Sequence, residues 1–262
     1  MPLIVETVGA PEGAAPDLVL IHGWAMHAGI FAGLAARLGA HFRVHLVELP
    51  GHGRNRDDDG PLDPAACAAR LLAEAPAGAL WVGWSLGGLI ALRAALDAPG
   101  HVRGLAMLCA SPRFVRGEDW RHGVSAEIFQ DFAGGLAEDY RGTLDRFLAL
   151  EAFGAEHMKE ALRALRAEVF ALGEPAAAAL VQGLAVLESG DLRAELPRLA
   201  VPSLWLAGRR DRLVDHRAMA AAAEAAPDAR FLRFEHAGHA PFLTEPEAVA
   251  DALADFARSL PR

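Results

Sequence analysis

The chain has 262 residues, with 25 Lys and Arg against 34 Asp and Glu, a formal charge of −9, and a composition 53% hydrophobic and 23% charged. That length supplies a full buried core in one large domain, the acidic balance argues against nucleic acid as a partner because phosphate binding needs a basic field, and no uninterrupted apolar run approaches the roughly 20 residues that cross a bilayer. The expectation is a soluble, monomeric, cytoplasmic protein, since Met1-Pro-Leu-Ile-Val-Glu6 lacks the basic start and long apolar stretch of a secretory signal.

From Leu3 to about Pro112, short apolar runs alternate with Ala/Leu-rich helical stretches. Leu18–Ile21, Val44–Val47, Leu80–Gly83 and Leu105–Leu108 read as buried strands bounded by Gly, Pro or polar residues. Strand, helix, strand in succession predicts parallel pairing with right-handed crossovers. From 113 to 191 the pattern becomes charged, Ala/Leu-rich and helical in period, with no convincing strand. Strand signals return at Ser203–Ala207, after Pro202, and at Arg230–Phe234, and a last helix runs from Pro246 to about Ser259. Sheet resuming after a long helical excursion predicts a cap at 113–191 inserted into one core made of 1–112 and 192–262. Pro50–Gly53, Gly60-Pro61 and Gly173–Pro175 read as loops. Cys67 and Cys109 fall in apolar stretches and read as small buried residues.

The chemistry begins at Gly83-Trp-Ser-Leu-Gly87. This is a G-x-S-x-G nucleophile elbow in its required context, directly after a strand and opening a helix, with small residues letting strand and helix approach while Ser85 stands in a strained turn. A serine hydroxyl is a poor nucleophile unless a base takes its proton, so a histidine is needed. The chain order of this motif, serine then acid then histidine, selects among 11 histidines those after the last strand, His236 and His239. Gly238 before it and Pro241-Phe242 after it favour His239, in a turn that holds the imidazole among apolar neighbours. Asp211, on the loop leaving the strand that ends at Ala207, is the acid expected to fix the tautomer, whereas Asp215 reads as the N-cap of a helix starting at His216. A tetrahedral intermediate also needs backbone donors for its oxyanion. Those expected are the amides of Leu86, just after the nucleophile, and of Trp24, in His22-Gly-Trp24 after an early strand.

Together, His22-Gly-Trp24, Pro50-Gly-His-Gly53, Gly83-Trp-Ser-Leu-Gly-Gly88, Gly208-Arg-Arg-Asp211 and Gly238-His239 resemble the α/β-hydrolase superfamily over essentially the whole chain. The resemblance implies an α/β fold with a mostly parallel central sheet flanked by helices and an inserted helical cap. More narrowly, Leu20–Trp24, His45–Gly51, Trp81–Gly88, Arg146–Leu150 and His239–Phe242 resemble the pimeloyl-[acyl-carrier protein] methyl ester esterases of biotin synthesis. That resemblance implies a serine carboxylesterase with no cofactor and no metal, whose substrate is borne by acyl-carrier protein. It implies that Trp24, Ser85, Leu86, His239 and the cap run Phe147, Leu148, Ala149, Leu150 and Glu151 line the substrate site. It further implies that basic cap residues, here Arg141, Arg146, Lys159, Arg163 and Arg166, dock the carrier, although Asp145, Glu156 and Glu160 are interspersed and a solvated, salt-bridged face fits the same pattern. Two departures stand out: Glu151 replaces the Gln that the resemblance implies, adding a negative charge, and Glu48 replaces an Asp, a change expected to matter little.

The same triad would serve a general short-chain carboxylesterase acting on small esters, a lyase or a carbon–carbon hydrolase, or a non-catalytic receptor that retained it. A haloalkane dehalogenase is disfavoured, because its nucleophile is an aspartate where this chain has Ser85. The pairs His41/His45 and His236/His239 have metal-like spacing without supporting ligands in the sequence.

Overall fold

Apolar runs bounded by turn residues become strands because the sheet they form is covered on both faces. In the computed structural model, which describes residues 1–154 and 158–261, β1 (Ile4–Gly9), β2 (Asp17–Ile21), β3 (Arg43–Val47), β4 (Ala79–Trp84), β5 (Val102–Leu108), β6 (Ser203–Gly208) and β7 (Ala229–Phe234) form one sheet. Their order is β1-β3-β2-β4-β5-β6-β7. β1 is antiparallel to β3 and every other neighbouring pair is parallel. All six residues of β4 and of β6 are buried, as central strands demand. The six strands read from the sequence are all present. β1 is the addition: an edge strand with exposed Glu6 and Thr7, it lacks the continuous apolar run by which the others are recognised.

Around the sheet lie α1 (Ala32–Leu38), α2 (Pro64–Glu74) and α3 (Leu86–Asp97), with α1 packed on the C-terminal helix Pro246–Ser259 and α2 on α3. α2 starts where Asp63 accepts hydrogen bonds from the Ala65 and Ala66 amides and Pro64 occupies the first turn, where its missing N–H costs nothing.

Between β5 and β6 run α4 (Ala126–Glu138), α5 (Tyr140–Ala152), α6 (Met158–Val169) and α7 (Ala177–Ser189). They turn Phe129, Phe147, Leu165 and Leu184 inward against one another and the core. The two ends of this excursion meet at a bridge between Arg113 and Asp191, beside a 2.9 Å bond from the Leu192 amide to the Pro112 carbonyl. The stretch 113–125 is not helical, contrary to expectation. It folds back on itself through bridges Val115–Val124 and Gly117–Trp120, with the Trp120 indole donating to the Arg113 carbonyl at 2.9 Å. Gly123 makes this fold-back possible, since a Cβ there would lie 2.3 Å from the Arg116 amide nitrogen.

After β6 come α8 (His216–Ala225), α9 (Pro241–Thr244) and α10 (Pro246–Ser259), the last with the limits expected. Parallel strands all point their carboxyl ends the same way, so the loops after β2, β4, β6 and β7 gather at one edge of the sheet. Among the described residues, no helix is long and apolar enough to cross a membrane.

Candidate active site

Ser85 sits between β4 and α3 with φ 53° and ψ −119°, a conformation that a side-chain-bearing residue adopts at a cost of roughly 1–3 kcal/mol. The elbow persists because the glycines around it permit backbone-to-backbone contact. A Cβ at Gly83 would lie 2.3 Å from the Gly87 carbonyl oxygen, and one at Gly87 would lie 2.5 Å from the carbonyls of Ile21 and His22. α3 therefore starts directly on the ends of β4 and β2, with Ser85 at the junction and almost wholly buried.

Asp211 follows β6 in a tight turn, where its Oδ1 accepts the Leu213 and Val214 amides at 2.8 and 3.0 Å. Its Oδ2 is 2.7 Å from His239 Nδ1. A carboxylate only accepts, so Nδ1 carries the proton and Nε2 holds the lone pair. That Nε2 is buried and has no hydrogen-bond partner among the described residues. His236 lies exposed on the same loop with Nδ1 3.1 Å from the Arg210 guanidinium, and Asp215 accepts from the Arg217 amide at the start of α8.

One residue that positions His239 went unread in the sequence. Trp84, a variable position of the elbow motif, donates from its indole to the His239 carbonyl at 2.8 Å, with the two rings 5.6 Å apart. Phe31 and Phe242 pack edge-on against Trp84. The only sequence signal was an aromatic residue beside the serine together with the Pro-Phe pair after His239.

On the other side of Ser85, His22 donates from Nδ1 to the Gly23 carbonyl at 2.7 Å and accepts the Leu49 amide on Nε2 at 3.0 Å. Burial first, and then neighbouring His52, hold its pKa well below the ordinary histidine value. A neutral His22 thus ties the β2 loop to the β3 loop. Gly23 lies so near Ser85 that a Cβ on it would be 3.1 Å from the Ser85 Cβ. The Leu86 amide, in the first turn of α3, is one of those that a helix leaves without an internal acceptor. Trp24 is buried, with its indole donating to the Leu180 carbonyl of α7 at 2.8 Å and its ring edge-on to Phe147 at 4.5 Å.

In the cap run Phe147, Leu148 and Glu151 are buried and Leu150 is half-buried, but Ala149 is exposed. Five successive residues of a helix cannot share one face, and Ala149 lies on the exposed side of α5. Both carboxyl oxygens of Glu151 are buried without a hydrogen-bond partner among the described residues. Glu48 has more to do than the sequence suggested. It is buried beneath the Pro50–Gly53 turn, where it accepts the Arg54 amide while its backbone carbonyl accepts Asn55 Nδ2 at 2.7 Å.

Of the basic cap residues, Lys159, Arg163 and Arg166 line one exposed depression of about 340 Å³ on α6. Arg166 pairs with Asp145 at 2.9 Å, Arg141 with Glu174 at 2.5 Å, and Arg146 donates to Thr143 Oγ1 at 2.6 Å. Glu156 lies outside the described residues. Cys67 and Cys109 are buried thiols, Cys67 pushed up to about 12 and Cys109 well above its ordinary value, in both cases first by burial. Ligand atoms of Cys109, Asp211 and His239 lie within 4.8 Å of one another, but Asp211 already spends both oxygens on His239 and two amides.

The α/β hydrolase fold family matches residues 16–246. The chain is 55% identical over 249 residues to a pimeloyl-[acyl-carrier protein] methyl ester esterase of Xanthomonas campestris pv. campestris strain B100, covering 95% of this chain and 98% of that one. It is 53% identical over 248 residues to the protein of the same name from Stenotrophomonas maltophilia strain K279a, covering 95% of each. A solved esterase from Exiguobacterium antarcticum superposes with a TM-score of 0.82 at 22% identity, over 97% of this chain and 94% of that one. A hydrolase from Oleispira antarctica gives 0.84 at 18% identity, over 98% and 95%. These two likenesses speak to the fold. The chain belongs to the α/β-hydrolase fold family and, within it, to the family of its pimeloyl-[acyl-carrier protein] methyl ester esterase relatives.

Proposed function

We propose that this protein is a serine carboxylesterase that hydrolyses the methyl ester of pimeloyl-[acyl-carrier protein] to methanol and the free carboxylate, a step of biotin synthesis. The observation that carries the chemistry is the buried 2.7 Å contact between Asp211 Oδ2 and His239 Nδ1, which leaves Nε2 as an unpartnered base at the same sheet edge as Ser85. The choice of substrate rests on relatives at 53–55% identity over almost the whole chain.

In this reading Ser85 Oγ attacks the ester carbonyl as His239 Nε2 takes its proton. The Leu86 and Trp24 amides receive the developing oxyanion. His239 returns the proton to the departing methoxide, which leaves as methanol. A water, deprotonated in turn by His239, then attacks the acyl–serine, and His239 returns that proton to Ser85 Oγ as the acyl–oxygen bond breaks to release the carboxylic acid, which ionises. Asp211 stabilises the imidazolium throughout without being protonated. The segment 113–191 acts as a cap, and Trp24, Ser85, Leu86, Phe147, Leu148, Leu150, Glu151 and His239 line the acyl site. Most of these are buried, so α5 and α7 must shift off Trp24 to admit substrate. Arg141, Arg146, Lys159, Arg163 and Arg166 offer the acidic carrier a basic rim.

The test is kcat/KM for pimeloyl-[acyl-carrier protein] methyl ester beside a p-nitrophenyl ester, with the parent protein and Ser85→Ala. A strong preference for the carrier-borne ester that Ser85→Ala abolishes is expected. Ser85-dependent activity on the small ester alone would instead make this a general carboxylesterase.

A further inference from the structure

Glu151 is the one acidic side chain that the cap turns toward the acid–imidazole pair among the described residues. It sits in the last turn of α5, one helical turn beyond Phe147, and is 1% exposed. Neither carboxyl oxygen meets a donor among the described residues. An ionised carboxylate in such a place would forfeit its hydration with nothing in return, at a cost far above that of a buried neutral acid. The backbone at the same residue touches the catalytic loop: the His239 amide donates to the Glu151 carbonyl at 3.4 Å. Protonation state and seating of the loop therefore meet in one residue.

The surroundings push the same way. Burial first, and the Asp211 carboxylate second, raise the Glu151 pKa well above the ordinary 4.5. Among the described residues, the titratable groups facing it are Asp211 and His239, with Cys109 behind Asp211, while the loop after β6 also brings Arg210, donating to the Gly154 carbonyl at 3.3 Å, and Arg212, over the Phe153 ring, against the end of α5 without bonding the carboxyl. α4 and α6, the helices packed on α5, turn Phe129, Leu136, Ala161, Leu165 and Val169 inward. Their charges point outward: Glu127, Asp131 and Glu138 on α4 and Lys159, Glu160, Arg163 and Arg166 on α6 are exposed, and half-buried Glu168 lies against His27. No cation reaches Glu151 from these helices.

We propose that Glu151 is a positioning residue of the hydrolytic site: its un-ionised carboxyl lets the last turn of α5 stay seated on the His239 loop, and its ionisation drives that turn into water and unseats His239. This rests on the triad reading above. The glutamate, in place of the glutamine that the sequence resemblance implies, makes the seating of His239 sensitive to rising pH. Glutamine would keep the shape without the ionisation.

Two measurements test it. The first is the pH profile of kcat/KM on a p-nitrophenyl ester for the parent, Glu151→Gln and Ser85→Ala. On the high-pH side of the Glu151 ionisation the parent is expected to fall about tenfold per pH unit, and Glu151→Gln to lose that limb. Identical high-pH limbs in parent and Glu151→Gln would overturn the proposal, whereas undiminished hydrolysis by Ser85→Ala would overturn the triad reading instead. The second needs no activity. A raised folded pKa means that the folded protein holds a proton which the unfolded chain has released, so stability falls as pH rises above 4.5. The Tm advantage of Glu151→Gln over the parent is therefore expected to grow from pH 4.5 to neutrality, and a gap that does not change with pH would refute the neutral carboxyl.

Discussion

The Trp84 indole and the His239 backbone carbonyl are joined by a 2.8 Å hydrogen bond, so the residue preceding Ser85 holds the loop that carries His239. Two elements far apart in sequence, the end of β4 and the turn after β7, are thereby joined beside Ser85. Trp84→Phe keeps a ring among Phe31 and Phe242 but removes the donor. The loss of one buried hydrogen bond, about 1 kcal/mol, is expected to lower stability by that amount and kcat/KM about fivefold. Chemical denaturation and steady-state kinetics on one ester check both, and unchanged values would mean that the loop is held by packing alone.

Asp211→Asn should be far more damaging. An amide in place of the carboxylate can still bond the Leu213 and Val214 amides, but it no longer favours the Nδ1–H tautomer. A fall in kcat of about 10⁴-fold is expected. In the proposed mechanism Ser85 and His239 act as one unit, so the double variant Ser85→Ala/His239→Ala should be hardly slower than either single variant. Multiplicative losses would contradict a shared proton transfer.

Burial holds His52 at about 4, below its ordinary 6.5. As pH falls, the unfolded chain takes up a proton before the folded protein does. Stability is therefore lost between about pH 6.5 and 4, by roughly 3 kcal/mol at the limit. His52→Asn should lessen the fall in the urea midpoint from pH 7 to 4.5. If parent and variant show the same slope, His52 is not the group responsible.

Gly183 of α7 lies beneath Trp24, where an added Cβ would come within 2.6 Å of the indole Cδ1. Gly183→Ala gains about 1 kcal/mol of helix propensity but incurs an overpacking cost of about 1–3 kcal/mol. The expected result is a small net destabilisation with a disproportionate loss of kcat, because the displaced indole belongs to the loop proposed to bear the second oxyanion donor. A Tm and a kcat that both rise would show that the indole yields without moving that loop.

Much of the candidate site was legible because its chemistry is written in local motifs. Gly83, Gly87 and Ser85 specify a strained turn whatever lies around it, and Asp211 and His239 each follow a recognisable strand. The N-cap role of Asp215 was likewise readable from the helix it precedes. β1 was not read, because a half-exposed edge strand has no continuous apolar run. The fold-back at 113–125 was missed because Gly117 and Gly123 act through contacts with Arg113, Arg116 and Trp120 rather than through any local period.

By itself, the sequence determined the order of strands and helices and the identities of nucleophile, base and acid candidates, since periodicity and short motifs depend on neighbours only a few residues apart. Tertiary structure alone decided that Asp211 Oδ2 reaches His239 Nδ1, that Trp84 holds the His239 loop, that Ala149 is exposed while Phe147 and Leu148 are buried, and that Glu151 is sealed beside Asp211. Each of these depends on which side chain a strand end or helix turn delivers into a shared low-dielectric space, and that is set by packing between segments up to 155 residues apart.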